Sequence, residues 1–260
     1  MILRRLSQSL KEQNWTAIVI EFVLLVVGVF LGIQVANWNA ELETQKKAEI
    51  FTKRLTADLR LEAWGYEGLI EYYTDVTANA DRTLAVMADE AQLSDEQFVV
   101  SAYRATQYKY NDRYRATYDE MVSTGSIGLI ADQKLRETAI ITFTSPIFDE
   151  ISEEGRKSEY RELFRRAVSK DVQRELQSKC GDRFVDLLDY KGIVKSLDYP
   201  CTLDVPAEKI SAAAKALRSN QNFVPSLQSR FADVETAIGN LRDYNPKLFN
   251  NLQEISGRKK

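Results

Sequence analysis

A chain of 260 residues has room for one or two domains with a sizeable core. At 44% hydrophobic and 28% charged it is too apolar for wholesale disorder, and a net charge of −3 is too small to steer nucleic acid or an acidic surface, so no nucleic-acid partner is expected. It contains no histidine, which excludes a Ser-His-Asp or Cys-His catalytic group and a two-histidine zinc motif.

The first predicted element is a membrane span. Residues 17–36 read AIVIEFVLLVVGVFLGIQVA. At about 20 residues the run matches what a helix needs to cross roughly 30 Å of hydrocarbon. Trp15 and Trp38 bracket it, where amphipathic rings favour the interface. A cleavable signal peptide competes with this reading, but its apolar region is shorter and its cut follows small residues, which Gln34 and Ala36 fit poorly. A buried core helix also competes; a place so near the start of the chain, between two tryptophans, counts against it. The expectation is a single-pass anchor over residues 16–38, with 1–15 as a short cytoplasmic tail, 39–256 as a helical extracytoplasmic domain and 257–260 as a frayed tail. Orientation is less constrained by charge. Arg4, Arg5 and Lys11 precede the span and Lys46, Lys47, Lys53 and Arg54 follow it, so the positive-inside count is nearly balanced.

The span has an uneven surface. Stepping by three and four residues, Glu21, Leu25, Gly28, Gly32, Val35 and Asn39 share one helical face. Gly28 and Gly32 form a GxxxG pair, which lets two backbones approach closely. Glu21 costs a few kcal/mol in hydrocarbon unless it snorkels, protonates or finds a partner. Gln34, Asn37 and Trp38 crowd the exit end. Contact with a second copy or another membrane subunit explains such a stripe. The competing reading is that glycines are common in spanning helices and Glu21 reaches the headgroups.

The run from Glu21 through Val27-Gly28 to Gln34-Val-Ala-Asn37-Trp38-Asn39 resembles the anchor of a large, uncharacterised bacterial family. In that family a glutamate opens the span, a Val-Val-x-Gly step follows, and Gln-x-x-Asn-Trp-Asn closes it. The stretch from Tyr118 to Gly125, followed by Ile127, Leu129 and Ile130, also resembles the family's helix, glycine and apolar step. The resemblance implies a bacterial single-span protein and no reaction.

Beyond the anchor, Ala48, Phe51, Leu55, Leu59, Tyr66, Leu69, Tyr73, Val76, Ala80, Leu84 and Met87 recur mainly at helical steps, an apolar stripe. No proline precedes Pro146, so anchor and stripe can form one rod, with Gly65 and Gly68 as places to bend. From Thr16 to Ala88 such a rod would be about 110 Å long. Ser94-Asp-Glu-Gln97 is a capping box opening a helix towards Tyr108. Asn111 or Asp112 can cap the next, ending at Gly125, and Asp132 a short one through Ile141. Ser145-Pro146 opens a longer helix to about Lys179, stopped by Gly181. Residues 182–203 are the least regular. Asp204 with Pro206, and Phe223-Val-Pro225, start two more helices, the last broken or kinked at Asn245-Pro246. The fold class predicted is all-α, a single transmembrane helix continuing into a long amphipathic helix packed in a helical bundle.

Cys180 and Cys201 are the only cysteines. In an oxidising compartment they could close a loop of about 22 residues and contribute roughly 3 kcal/mol; the competing reading is two reduced thiols. A disulfide would favour export of the domain. Three other features weigh as structure rather than as sites. Tyr66, Tyr72 and Tyr73, then Tyr103, Tyr108, Tyr110, Tyr114 and Tyr118 with Arg104, Arg113 and Arg115, could line a docking surface, but their spacing suits core filling better. Asp149, Glu150, Glu153 and Glu154 could hold a hard cation, but they occupy a helix's first turns beside Arg156, Lys157 and Arg161 and read as a solvated face. Arg161, Arg165 and Arg166 form a basic patch interrupted by Glu159 and Glu162. No catalytic constellation, metal set or cofactor motif stands out, and no enzyme is expected. The function expected is that of a membrane-anchored structural or interaction protein in the bacterial inner membrane, its N-terminus cytoplasmic and its C-terminal domain periplasmic. Its partners would be the lipid bilayer and a homo-oligomer or another membrane subunit. The alternative is an extracytoplasmic sensor or ligand-binding module; a tail of about 15 residues is far below domain size, so such a sensor would act through a separate partner.

Overall fold

The computed structural model describes residues 15–110 and 112–258. Most of the expected cytoplasmic tail, with Arg4, Arg5 and Lys11, lies outside the described residues, as do Asn111 and the last two residues of the expected frayed tail. The described residues hold ten α-helices and no strand: α1 Trp15–Met87, α2 Asp95–Ala105, α3 Ala116–Ser123, α4 Gln133–Thr144, α5 Ile147–Lys157, α6 Glu159–Ala167, α7 Lys170–Cys180, α8 Ala207–Arg218, α9 Phe223–Arg242 and α10 Pro246–Ile255. A short 3₁₀ turn covers Ile127–Leu129.

Helix α1 runs for 73 residues, and it includes a stretch long and apolar enough to cross a membrane. The chain divides into two compact units. One takes the described part of Met1–Lys53 with Gly128–Ala131, and the other takes Arg54–Ile127 with Asp132–Lys260. In the first unit no residue of the apolar window is buried.

In the second unit the same helix is a core element. Leu55, Leu59, Tyr66, Leu69, Tyr73, Val76 and Ala80 are buried as the stripe requires, but so are Glu62, Ala63, Ile70, Tyr72, Asp75, Thr77 and Asn79. One apolar stripe is therefore too narrow a description: between residues 62 and 80 the helix is covered on most sides. Small residues let neighbours close in, and a Cβ added at Gly68 would touch Ile193 at 3.6 Å. Hydrogen bonds fasten this stretch to distant segments, from the Tyr66 hydroxyl to the Leu241 carbonyl (2.6 Å) and from the Tyr72 hydroxyl to Asp182 (2.7 Å). The remaining core joins Ala80 to apolar residues of α2, α6, α7, α8 and α9, including Phe98, Tyr160, Phe164, Leu176, Leu217 and Phe223.

Several helix ends follow local chemistry. Ser94 and Gln97 form the reciprocal capping box at α2. The Asp132 side chain accepts from the Leu135 amide and starts α4, which extends to Thr144. Helix α3 ends in a Schellman arrangement: Gly125 has φ +66°, its amide donates to the Val122 carbonyl, and the Ser126 amide donates to Met121. Asn245-Pro246 breaks the chain between α9 and α10.

Two expectations are corrected. Asp112 caps nothing; α3 starts later, with Arg115 at its N-cap and no side-chain cap. The reason is that Arg113 and the Tyr114 amide are drawn onto the buried Glu62 carboxylate, which holds this stretch off a helical path. The long helix from Pro146 to Lys179 is instead the three helices α5, α6 and α7, broken at Ser158 and at Val168-Ser169, all with extended ψ. A straight rod presents one stripe in one direction. Each break re-aims the chain, so that Phe148 and Ile151, Tyr160 and Phe164, and Val172, Leu176 and Cys180 are all buried.

Candidate functional site

The face formed by Glu21, Leu25, Gly28, Gly32, Val35 and Asn39 lies on α1 within the first unit. Around it Val23, Leu24, Val26, Val27, Val29, Phe30, Leu31 and Ile33 are about half exposed, which is what a helix without neighbours presents. A Cβ built on Gly28 or Gly32 meets nothing within 4 Å. These glycines are therefore not required for packing among the described residues. Glu21 is half-buried, and its Oε2 has no hydrogen-bond partner among the described residues. At the exit end Gln34, Asn37, Trp38 and Asn39 are exposed on the same helix.

Cys180 and Cys201 are joined in a disulfide, with Cα atoms 5.5 Å apart, a separation within the ordinary range for such bonds. Arg104, only 4% exposed, lies against the bridge. Its guanidinium donates to the carbonyls of Cys180 (3.2 Å) and Tyr199 (2.7 Å) and approaches Cys201 Sγ at 3.5 Å. Asp198 lies 3.6 Å from it, and the Tyr199 ring stacks under it at 4.6 Å. Burial pushes the Arg104 guanidinium down from its usual value, opposed by Asp198. Beside it the Asp75 carboxylate accepts from the amides of Leu197 (2.9 Å) and Asp198 (3.1 Å). The irregular stretch between α7 and α8 is thus held by a covalent bond, an arginine and a carboxylate.

A second buried ion pair sits on α1. Glu62 accepts from Arg113 Nε (3.0 Å) and from the Tyr114 amide (2.6 Å), while Arg113 also donates to the Thr142 carbonyl (2.6 Å) and lies over the Phe148 ring. Burial raises the Glu62 carboxyl above its ordinary value, and Arg113 opposes this. Sequence reasoning passed over Glu62 and Asp75, and placed Arg104 only among the arginines interleaved with the tyrosines. Glu62 was visible in principle, because it falls between Leu59 and Tyr66 on the apolar stripe itself.

The tyrosines divide. Tyr66, Tyr72, Tyr73 and Tyr118 are buried, Tyr103, Tyr108 and Tyr114 are half-buried, and Tyr110 is exposed. Burial raises the Tyr73 and Tyr103 phenols to about 12, which suits hydroxyls held at a core rim and not acid–base groups working near neutral pH. Of the acidic cluster, Glu153 pairs with Arg156 (2.6 Å) and Lys157 (2.7 Å), and those partners hold its carboxyl well below the usual range, at about 2. Among the described residues no group of three or more acids or cysteines could hold a metal ion. The basic patch separates: Arg166 turns to Glu162 (2.7 Å), whereas Arg161 and Arg165 line a groove with residues of α7. No family model, curated protein or solved structure matches the chain.

Proposed function

We propose that this protein is a membrane-anchored helical bundle of the bacterial inner membrane that self-associates, or joins a larger membrane complex, through the face bearing Glu21, Gly28 and Gly32. The observation that carries the reading is the uncovered apolar stretch of α1. Thirteen large hydrophobic residues between Val19 and Val35 stand 45% or more exposed. At about 1 kcal/mol each for the surface left in water, they represent ~13 kcal/mol, comparable with the whole net stability of a typical domain. A bilayer removes that cost, and Trp15 and Trp38 lie where interfacial rings belong. Lipid does not relieve Glu21 or make use of two adjacent glycines; a neighbouring helix does both.

The likeness of the anchor to the bacterial single-span family supports the inner membrane, and the Cys180–Cys201 bridge supports a periplasmic C-terminal domain with a cytoplasmic N-terminus. Sedimentation in an uncharged detergent tests self-association. Wild type should sediment as an oligomer, and Gly28→Leu with Gly32→Leu should shift it towards monomer. Because a Cβ added at either glycine meets nothing within 4 Å among the described residues, loss of oligomer reports on a neighbouring helix. A monomeric wild type removes self-association. A second reading, an extracytoplasmic ligand-binding module acting through a separate partner, draws support from the open groove between α6 and α7.

A further inference from the structure

Helices α6 and α7 meet at an angle because the chain is extended at Val168-Ser169, and the C-terminal end of α2 closes one side of the angle. The result is a groove of about 620 Å³. Arg161 and Arg165 line it from α6, and Lys170 and Arg174 line it from α7. In each helix the two cations are four residues apart and so share a face.

The charges in this groove are left over. Every acid on the two helices is engaged elsewhere or lies outside the lining. Glu162 pairs with Arg166, Asp171 pairs with Lys209 at 2.6 Å, and Glu175 accepts from the Asp204 amide; Glu159 is not part of the groove. The single carboxylate in the lining, Asp182, accepts a hydrogen bond from the Tyr72 hydroxyl at 2.7 Å. None of the four cations lies within ion-pair distance of a carboxylate among the described residues. Asp171 is close enough to feel Lys170 and Arg174, but with four cations and one carboxylate in its lining the groove carries a local excess of positive charge on a chain of net charge −3.

Part of the array is also held in place. Arg161 donates to the Thr106 carbonyl at 3.2 Å and stacks on the Tyr108 ring at 4.7 Å. That leaves the rest of its fork free to donate into the groove. Arg165, Lys170 and Arg174 are exposed. Two cationic pairs lining one groove from two helices suit a ligand with two anionic centres, since arginine forks suit the oxygens of phosphate. The lining is more polar than apolar, which suits a hydrophilic guest over a fatty one.

We propose that the groove between α6 and α7 binds a ligand carrying two phosphate groups, gripped by Arg161 and Arg165 on one side and Lys170 and Arg174 on the other. This gives the ligand-binding reading its chemistry and rests on that reading. It does not depend on helix contact in the membrane, because the groove variants and the glycine variants are read separately and either idea can fail alone.

Pyrophosphate is the probe. Full-length protein in uncharged detergent is titrated while its thermal midpoint is followed, against sodium chloride at matched ionic strength. A saturable rise with pyrophosphate and none with chloride is expected. Arg165→Gln with Arg174→Gln should weaken the apparent affinity about tenfold or more, while Arg166→Gln, outside the groove, should leave it unchanged. Circular dichroism confirms that the exposed substitutions fold. Cardiolipin, a lipid whose headgroup carries two phosphates, doped into the micelles identifies the source: competition with pyrophosphate assigns the groove to a lipid headgroup, and absence of competition to a soluble phosphate compound. No rise beyond the chloride control, or equal affinity in the Arg165/Arg174 variant, overturns the proposal.

Discussion

Reducing the Cys180–Cys201 bridge should lower stability by an amount that the loop itself sets. The two residues are 21 apart in sequence, and closing a loop of about 22 residues in the unfolded chain corresponds to ~3 kcal/mol at room temperature. The native side should change little. Leu197, in the loop, is fully buried, and its amide is held by Asp75; Arg104 keeps its bonds to the Cys180 and Tyr199 carbonyls when the sulfurs part. The loss should therefore come mainly from the unfolded state. The measurement is a urea melt of the full-length protein in detergent, comparing oxidised wild type, wild type under reductant and Cys180→Ala with Cys201→Ala. Reduced protein and double variant should agree, each about 3 kcal/mol below oxidised wild type, or roughly 6–12 °C lower in thermal midpoint for a domain of this size. The variant could fall slightly further, because Cys180 is fully buried and its sulfur leaves a small void. An unchanged midpoint in reduced protein, with free thiols verified by mass, would refute the reasoning.

Two more outcomes follow from the packed unit. Burial raises the Glu62 carboxyl above its ordinary 4.5, so the folded state holds that proton more tightly than the unfolded chain. Stability from this group is complete below the ordinary value and is lost as pH rises through the raised one. Urea melts should then show Glu62→Gln improving relative to wild type as pH climbs from about 4 to about 7; an opposite trend would mean that Arg113 outweighs burial. Gly155→Ala would place a Cβ 2.5 Å from Tyr108 Cβ and 3.2 Å from Arg230 Nη2, and should cost about 1–3 kcal/mol in the same melts.

The all-helical class and many of the helix boundaries were legible because their signals are local. A capping box, an Asp before a helical run and a glycine that accepts φ +66° each act within a few residues. The three-way division of the stretch after Pro146 was not legible. Its sequence supports one continuous helix, and what breaks it is the gain from turning Tyr160, Phe164, Val172 and Leu176 into a common core. That error hid the groove, since Arg161 and Lys170 face each other only if the chain bends between them. The exit of Glu62 and Asp75 from the expected pattern has the same origin. Their charges are tolerated because partners more than 50 residues away arrive to meet them, and no local periodicity carries that information. On the anchor, the residues of the expected face all lie within α1; a neighbour for them is a matter for the sedimentation experiment.

The segment between Cys180 and Ala207 shows a different way of specifying structure. It has neither helix nor strand, yet it is fixed at a few points: the sulfur bridge, the carbonyls captured by Arg104 and the two amides captured by Asp75. Most of these anchors address backbone atoms, which every amino acid supplies. Mutational tolerance should therefore be uneven along it, strict at the two cysteines and at the remote residues that do the gripping, and permissive at positions such as Phe184 and Leu187 whose side chains reach into solvent. Over generations such a ribbon can change its spelling at its exposed positions while its path stays put.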